Sequence, residues 1–559
     1  MAGTPAGDDD GSGDGSGDGS GDGRRIAGPV PPADLAWGSF VERAPWTVDP
    51  ADLPWREGCP ERRARARRAA RSLTRRRRLP PGPRTARVGT TLGLAVAGWY
   101  LVERRGAPPS SRAGLSRRLR RAFERLGPTY IKLGQILSAG EGVFPDELVG
   151  EFRLCRDRVP AESFAAVRQV VEEDLGRPLA ALFATFDPVP LAAASIAQVH
   201  AARLQTGEDV VVKVQRPGIE RTVRQDLAVM GWLGPLLVGR VPVAALANPP
   251  ALVDVFAETI AEELDFRLEA DNMLDVAAVL ARSGQEALVV PRPHPRLVTR
   301  RVLVMERICG YAWGDAATMR AAGIDTTAVL SGTLVAFLEG LVLHGVFHGD
   351  LHAGNLLVRP DGRVALLDFG ITGRLDESQR LAFLRLVMST ATNDVRAQVE
   401  ALRDLGALPA GVDVAAVIGD LGLDRPVVDP TTLSADDLTR ELREITKALL
   451  RVGARIPKEL MLFVKDMLFL DNAMSTMAPD VDVLSEMAAV LLHLQSRHGE
   501  RIAGDLGLDS TDSLRVDLDG IRSSFGLADD VEHITHRELQ ARRRLLRQRL
   551  ADGRPRRRR

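Results

Sequence analysis

The sequence predicts an α+β fold in two lobes, one built on a sheet and one largely helical, with a helical extension ahead of them. Three observations predict it. The first is the stretch His348-Gly349-Asp350-Leu351-His352-Ala353-Gly354-Asn355, followed by two short apolar runs around Pro360-Asp361-Gly362 and closed by Asp368-Phe369-Gly370. The runs Leu356–Val358 and Val364–Leu367 read as a β-hairpin across an Asp-Gly turn. The second is Val210-Val211-Val212-Lys213-Val214, a strand with a lone lysine among β-branched residues, which burial does not tolerate without a partner. The third is the helical character of nearly everything after Gly370. A carboxylate and an amide five residues apart, then a hairpin, then a second carboxylate, is how kinase-type sites hold ATP and magnesium. The expected architecture is therefore a bilobal, protein-kinase-like fold. In it Asp350 meets the acceptor, Asn355 and Asp368 hold Mg2+, and Lys213 reaches the phosphates.

A metal-hydrolase reading of His348-x-Asp350-x-His352 competes with this. The chain has nine histidines, and no H-E-x-x-H or C-x-x-C accompanies these two. That reading also leaves Asn355 and Asp368-Phe369-Gly370 without a purpose.

At 559 residues the chain predicts two or three folded units plus tails. The 74 basic and 74 acidic residues balance, but locally they segregate. Cys59, Cys155 and Cys309 are scattered and odd in number, which predicts neither a disulfide framework nor a zinc site and fits a reducing cytoplasm. No basic segment followed by an apolar core marks a signal peptide.

Residues 1–60 read as a disordered acidic Gly/Ser/Asp tail, with a repeat at 8–23, and a loose Pro/Trp-punctuated linker at 29–57. Residues 61–109 read as a basic arm with a short apolar segment. Ten arginines fall within 62–78, and the uncharged run 88–102 follows. As a helix, that run spans about 22 Å, short of a bilayer core of roughly 30 Å. Two readings stay open: a helix at an anionic membrane surface, and a solvated basic arm leading into a packed helix. Without interleaved aromatics the arm predicts no nucleic-acid binding.

Residues 110–182 predict a helical extension. Leu115, Leu119, Ala122, Phe123 and Leu126 have helical spacing, Gly127-Pro128 ends that helix, and a further helix covers 164–175. Residues 183–309 predict the sheet lobe. It has strands at 195–201 and 210–214, a helix from about 251 to 281, and a strand at 297–305. Glu306 and Ile308 then fall where a hinge would meet adenine through its backbone. Residues 310–500 predict the helical lobe, with an apolar helix at 332–344. Asp376-Glu377-Ser378-Gln379 is a capping-box-like start to the helix at 380–387. No long activation segment and no Ala-Pro-Glu follow Gly370, so the platform that docks peptides in protein kinases is missing or rebuilt. Pro457 suits a first helical position before 459–471, and the methionines at 461–477 read as core fillers. Residues 501–559 predict a helical, basic tail.

Four motifs now in hand resemble the AarF/UbiB atypical kinases, over roughly residues 110–500. Lys132-Leu133-Gly134-Gln135 is similar to the family's K-x-G-Q signature, and 192–200 to its alanine-rich loop. Glu263-Leu264-Asp265 is similar to its E-x-D motif, and Asp350, Asn355 and Asp368 sit at its catalytic and metal positions. The departures are Ala353, where proline is common, and Ala197, where glycine is common. The resemblance implies that Glu269, six residues after Glu263, partners Lys213. It implies that Lys132, Gln135, Glu263 and Asp265 belong to a gate in which the extension folds over the site, where a peptide substrate would otherwise lie. It implies that Ala192, Ala193, Ala194 and Ser195 line the nucleotide, with ADP favoured and protein phosphorylation disfavoured. Alanine disfavours the positive φ open to a glycine loop, so this loop is expected to be stiffer.

The expected function is that of a Mg-dependent, ATP- or ADP-binding atypical kinase or ATPase supporting isoprenoid-quinone or lipid metabolism. Its expected place is the cytoplasm, with a peripheral position on the inner face of the cell membrane left open. The partners implied are the nucleotide, an anionic membrane lipid or quinone precursor, and quinone-biosynthesis proteins. Two rivals stand beside it: a non-catalytic, nucleotide-gated membrane or complex adaptor, and a small-molecule phosphotransferase of the aminoglycoside or choline kinase type.

Overall fold

The structure is a computed structural model. It describes residues 35–41, 45–75, 78–106, 108–138, 145–155, 160–237 and 249–424 and, with gaps between 425 and 455 and between 510 and 530, the chain to 552. The repeat at 8–23 and residues 553–559 lie outside the described residues.

The strands, in chain order, are β1 (Phe183–Phe186), β2 (Ala192–Ala193), β3 (Ala197–Leu204), β4 (Asp209–Gln215), β5 (Leu288–Val289), β6 (Pro293–Val298), β7 (Val302–Glu306), β8 (Tyr311–Ala312), β9 (Val346–His348), β10 (Leu356–Val358), β11 (Val364–Leu366) and β12 (Thr372–Arg374). The sheet of the first lobe has the order β1-β3-β4-β7-β6, with β2 paired to β3. Its pairs are antiparallel; after β4 the chain runs through helical segments and β5 to β6, and the β6–β7 hairpin then lays β7 beside β4.

Strand alternation decides which residue of β4 meets the site. Val210, Val212 and Val214 pack with Val167, Val170 and Val171 of the helix Phe164–Leu175. Val211 and Lys213 therefore face the other way, toward the helix Phe266–Ser283 and the second lobe. The register Ala192↔Val199↔Lys213 runs straight across β2, β3 and β4. The alanine turn thus lies on the same sheet column as the lysine.

The second lobe is organised around the helix Thr326–His344. Asp325 caps its start, and Gly345, with φ 65°, ends it and feeds β9. Among the described helices it alone is long and apolar enough to cross a membrane, but most of it is buried as the core of this lobe. The hairpin β10–β11 forms as predicted, with Gly362 at φ 81° in the turn and β5 and β8 on its edges. The capping box is also present: Asp376 accepts from Gln379 N, and Gln379 reaches back to Asp376 N.

Several expectations need correction. The stretch 29–57 is not a loose linker where it is described. Leu35, Phe40, Trp46, Leu53 and Trp55 are buried against the first lobe, and Trp46 Nε1 donates to Val290 O at 2.7 Å. Aromatic rings can anchor a segment without regular structure. The expected strand 195–201 begins later, at Ala197, because Ala194 N donates to Ala197 O and closes a turn at Ser195-Ile196. The helix expected over 251–281 is two helices, Pro249–Glu263 and Phe266–Ser283. Asp265 adopts an extended backbone and accepts from Arg267 N, starting the second helix. The strand expected over 297–305 is the β6–β7 hairpin, whose turn is clamped by Asp174 through Thr299 Oγ1 and Arg301. Pro457 is the N-cap of Lys458–Met477, not its first residue.

The arginine run is not a free arm either. The helix Cys59–Thr74 lies on Pro249–Glu263, with Arg63 and Arg67 on Glu262 (3.3 and 2.8 Å), Arg71 on Glu258 (3.0 Å) and Arg63 on Asp271 (2.9 Å). Carboxylates of the fold it packs against answer three of its six arginines.

Candidate functional site

Lys213 Nζ lies 2.6 Å from Glu269 Oε1 and 3.1 Å from Asp368 Oδ2. Three elements meet there: β4, the helix Phe266–Ser283 and the turn after β11. Burial works against the Lys213 ammonium, but Asp368 and Glu269 outweigh it and raise its pKa. Burial also pushes the Glu269 carboxyl up, against the pull of Lys213. At 2.6 Å from an ammonium held between two carboxylates, we take Glu269 as ionised. Asp368 is held down at about 2, because Lys213 and Lys132 override its burial.

His348 shapes the turn that carries the two aspartates. Its Nδ1 accepts from Asp350 N at 3.2 Å, and its Nε2 donates to Asp368 O. Burial holds it neutral, with a pKa near 4. Both ring nitrogens are therefore committed to backbone groups. His352 Nδ1 accepts from Gly354 N at 3.0 Å. The metal-hydrolase reading fails on this geometry. Asn355 Nδ2 donates to Asp350 O at 3.0 Å, which leaves its amide oxygen as the atom available to a cation. Among the described residues no three His, Cys, Asp or Glu side chains converge as a metal site. Magnesium beside a nucleotide needs only one or two protein oxygens plus phosphates. Asp368, with a side chain 41% exposed, and Asn355 fit that requirement.

The extension reaches the site through Lys132, on the helix Pro128–Ser138, which pairs with Glu263 at 3.0 Å. Lys132 is half-buried, and Glu263, Asp350 and Asp368 outweigh the cost of desolvation and raise its pKa. Gln135 is half-buried one turn further along that helix. Asp265 is not brought to the site: it pairs with Arg267 at 2.6 Å and serves as the helix cap. Ala194 O accepts from Arg216 Nε at 3.0 Å, which pins the alanine turn, and Ser195 is buried in it. Glu306 forms an ion pair with Arg292 at 3.1 Å, and Ile308 follows at the end of β7.

Two residues of the site went unnoticed in the sequence. Lys465 Nζ donates to Asp350 Oδ1, and its neighbour Asp466 accepts from Leu351 N at 2.9 Å. Burial, Lys465, Lys132 and His352 all act on the Asp350 carboxyl; burial lifts it, and the three side chains win and hold it well below the usual carboxylate range. Asp466 is fully buried, and burial pushes it up to about 8. The available signal was a Lys-Asp pair inside the helix Lys458–Met477, whose Asp466 is fully buried.

A family model described as the ABC1 atypical kinase-like domain matches residues 154–402. "Uncharacterized protein Rv0647c" of Mycobacterium tuberculosis is 37% identical over 376 residues, 66% of this chain and 76% of that protein. "Probable protein kinase UbiB" of Xanthomonas campestris pv. campestris is 34% identical over 413 residues, 70% of this chain and 72% of that protein. The chain belongs to the ABC1/AarF/UbiB atypical kinase-like family. A chloroplastic "Uncharacterized aarF domain-containing protein kinase" of Arabidopsis thaliana is a further relative, 34% identical over 393 residues, 66% of this chain and 73% of that protein. The kinase-like fold follows from the ABC1 domain match. Within the matched interval lie the alanine turn, Lys213, Glu263, Glu269, Asp350, Asn355 and Asp368. Lys132, which comes from the extension, and Lys465, which comes from the distal helix, lie outside it.

Proposed function

We propose that this ABC1/AarF/UbiB member is a nucleotide-dependent phosphotransferase or ATPase acting on water or a small, lipid-derived acceptor of the quinone-precursor class. One observation carries the reading: Lys213 is held between Glu269 and Asp368, beside an Asp350 kept ionised by its neighbours. That set can position a nucleotide's phosphates and orient an attacking hydroxyl, which is most of what phosphoryl transfer asks of a protein. Lys213 supplies the cation for the phosphates. Asp350 aims the acceptor and takes its proton. Asn355 and Asp368 would hold Mg2+, which supplies charge neutralisation of the phosphates when bound. Both ATP and ADP suit this set, and the pinned alanine turn is the feature that would discriminate between them.

The acceptor class rests on two supports. One is the family resemblance. The other is that Lys132 and Glu263 bring the extension onto the side of the site bearing Asp350 and Asp368, where a protein substrate would dock. We also propose a peripheral membrane position. On the helix Arg84–Val102, Leu94, Leu101 and Val102 are 72%, 80% and 68% exposed, and Arg104 and Arg105 follow.

The test is release of phosphate from MgATP and MgADP by the full chain, with and without anionic vesicles. The expected result is turnover that Asp350→Asn and Asp368→Asn reduce to a small, measurable residue; undiminished turnover in both variants overturns the reading. The Lys132–Glu263 closure favours one second reading, a nucleotide-gated adaptor, for which nucleotide binding without turnover would be the result.

A further inference from the structure

We propose that Lys465 is a positioning residue for Asp350: a distal helix supplies the cation that fixes which carboxylate oxygen is offered to the acceptor. This rests on the phosphotransferase reading and names a residue that the family match does not reach.

The geometry is a two-point grip. Lys465 Nζ donates to Asp350 Oδ1, and Asp466 Oδ1 takes the N–H of Leu351 at 2.9 Å. Consecutive residues of one helix thus hold the side chain of Asp350 and the backbone immediately after it, 115 residues away in the chain. The helix Lys458–Met477 is itself fixed, with Leu462, Leu470, Met474 and Met477 buried in the core it shares with Thr326–His344. Its approach is close. A Cβ at Gly349 would come within 3.1 Å of Leu462 Cδ1, so a larger residue before Asp350 would press on this helix.

A helix-docking salt bridge is the plain alternative. It would place its charges anywhere along the contact. Here the lysine sits on the one carboxylate that has to stay aimed, and both side chains are largely withdrawn from water, at 18% and 23% exposed. Lys132 also acts on Asp350 but arrives with the extension and has Glu263 as its partner. Lys465 belongs to the same lobe as Asp350, so its grip persists however the extension moves. With Oδ1 held by Lys465, Oδ2 is the oxygen presented to an incoming hydroxyl.

The experiment is steady-state phosphate release from MgATP by the full chain carrying Lys465→Met, Lys465→Arg, Asp350→Asn and the Lys465→Met/Asp350→Asn pair. Nucleotide Kd is measured by calorimetry and folding by melting. Lys465→Met is expected to lower kcat by about tenfold to a hundredfold, the scale of a misplaced catalytic group. KM and Kd for MgATP should stay within about twofold, since no binding contact to nucleotide is removed. Lys465→Arg, which keeps the cation, recovers most of kcat. In the Asp350→Asn background, Lys465→Met adds less than about twofold, because the two act as one unit. If Lys465→Met does not fold, Lys465→Gln carries the same expectations. Wild-type kcat in Lys465→Met overturns the proposal. So does a loss confined to KM and Kd, or a loss equally large in the Asp350→Asn background. Absence of turnover in the wild-type chain overturns this proposal together with the phosphotransferase reading, whereas the other outcomes leave that reading standing.

Discussion

Lys213 and Glu269 lie 2.6 Å apart and join the sheet of the first lobe to the helix Phe266–Ser283. Both are buried, so the pair is balanced between the cost of desolvation and the cost of separation. Lys213→Met leaves Glu269 without its cation, and its expected cost is about 3–5 kcal/mol of stability together with loss of MgATP binding. Denaturant titration and calorimetry on the same variant check both. Glu269→Gln leaves Lys213 still paired with Asp368 and is expected to cost less stability than Lys213→Met. An equal cost would contradict the pair's assignment as ionised.

The Lys132–Glu263 bridge is a charged contact between the extension and the site. Lys132→Met removes it and leaves the half-buried Glu263 carboxylate without its cation. Amide exchange over the helix Pro128–Ser138 should then quicken by about tenfold or more as local opening becomes easier. Unchanged exchange there would mean that packing of Tyr130, Ile131 and Leu133 alone holds the extension down.

Trp46 tests whether the N-terminal strap belongs to the fold. It is 4% exposed, and its indole N–H is bonded to Val290 O. Trp46→Ala should destabilise the protein by about 3–5 kcal/mol. A loose linker would give a change within about 0.5 kcal/mol, so urea unfolding separates the two cleanly.

His294 sets a pH dependence. Its Nδ1 accepts from both Arg296 N and Leu297 N at 3.1 Å, and its Nε2 donates to Leu35 O at 3.1 Å. Burial lowers its pKa from 6.5 to about 4. The unfolded chain therefore binds a proton more readily than the folded one. The stabilising contribution is present above pH 6.5 and is lost as the pH falls toward 4, by roughly 3 kcal/mol in all. His348, buried and likewise lowered to about 4, acts in the same direction. Melting temperature should decline over that window; a flat profile would contradict neutral buried histidines.

How far the sequence carried depends on the range of each interaction. The hairpin β10–β11 was legible because its turn chemistry is local. The capping box at Asp376 and Gln379 was legible because both of its bonds close within three residues. The break at Asp265 was missed because the apolar spacing continues across it: Ile260, Leu264 and Leu268 keep helical intervals while the backbone does not. The β6–β7 turn was missed because its clamp, Asp174, lies 125 residues from Thr299.

Much of the site was legible in the sequence: Lys213, Asp350, Asn355 and Asp368 stand in readable motifs, and Glu269 was singled out among competing carboxylates only by the family resemblance. Their chemistry is local, since a carboxylate or an ammonium is specified by its own residue and framed by near neighbours. Which charges face one another was decided only by tertiary structure. Lys465 carries no motif, and the arginines of Cys59–Thr74 read as a free basic arm until Glu258, Glu262 and Asp271 were seen beneath them. Electrostatic partners are set by distance in space, and a chain that folds back over 115 residues to bring Lys465 to Asp350 leaves no trace of that distance in its spacing.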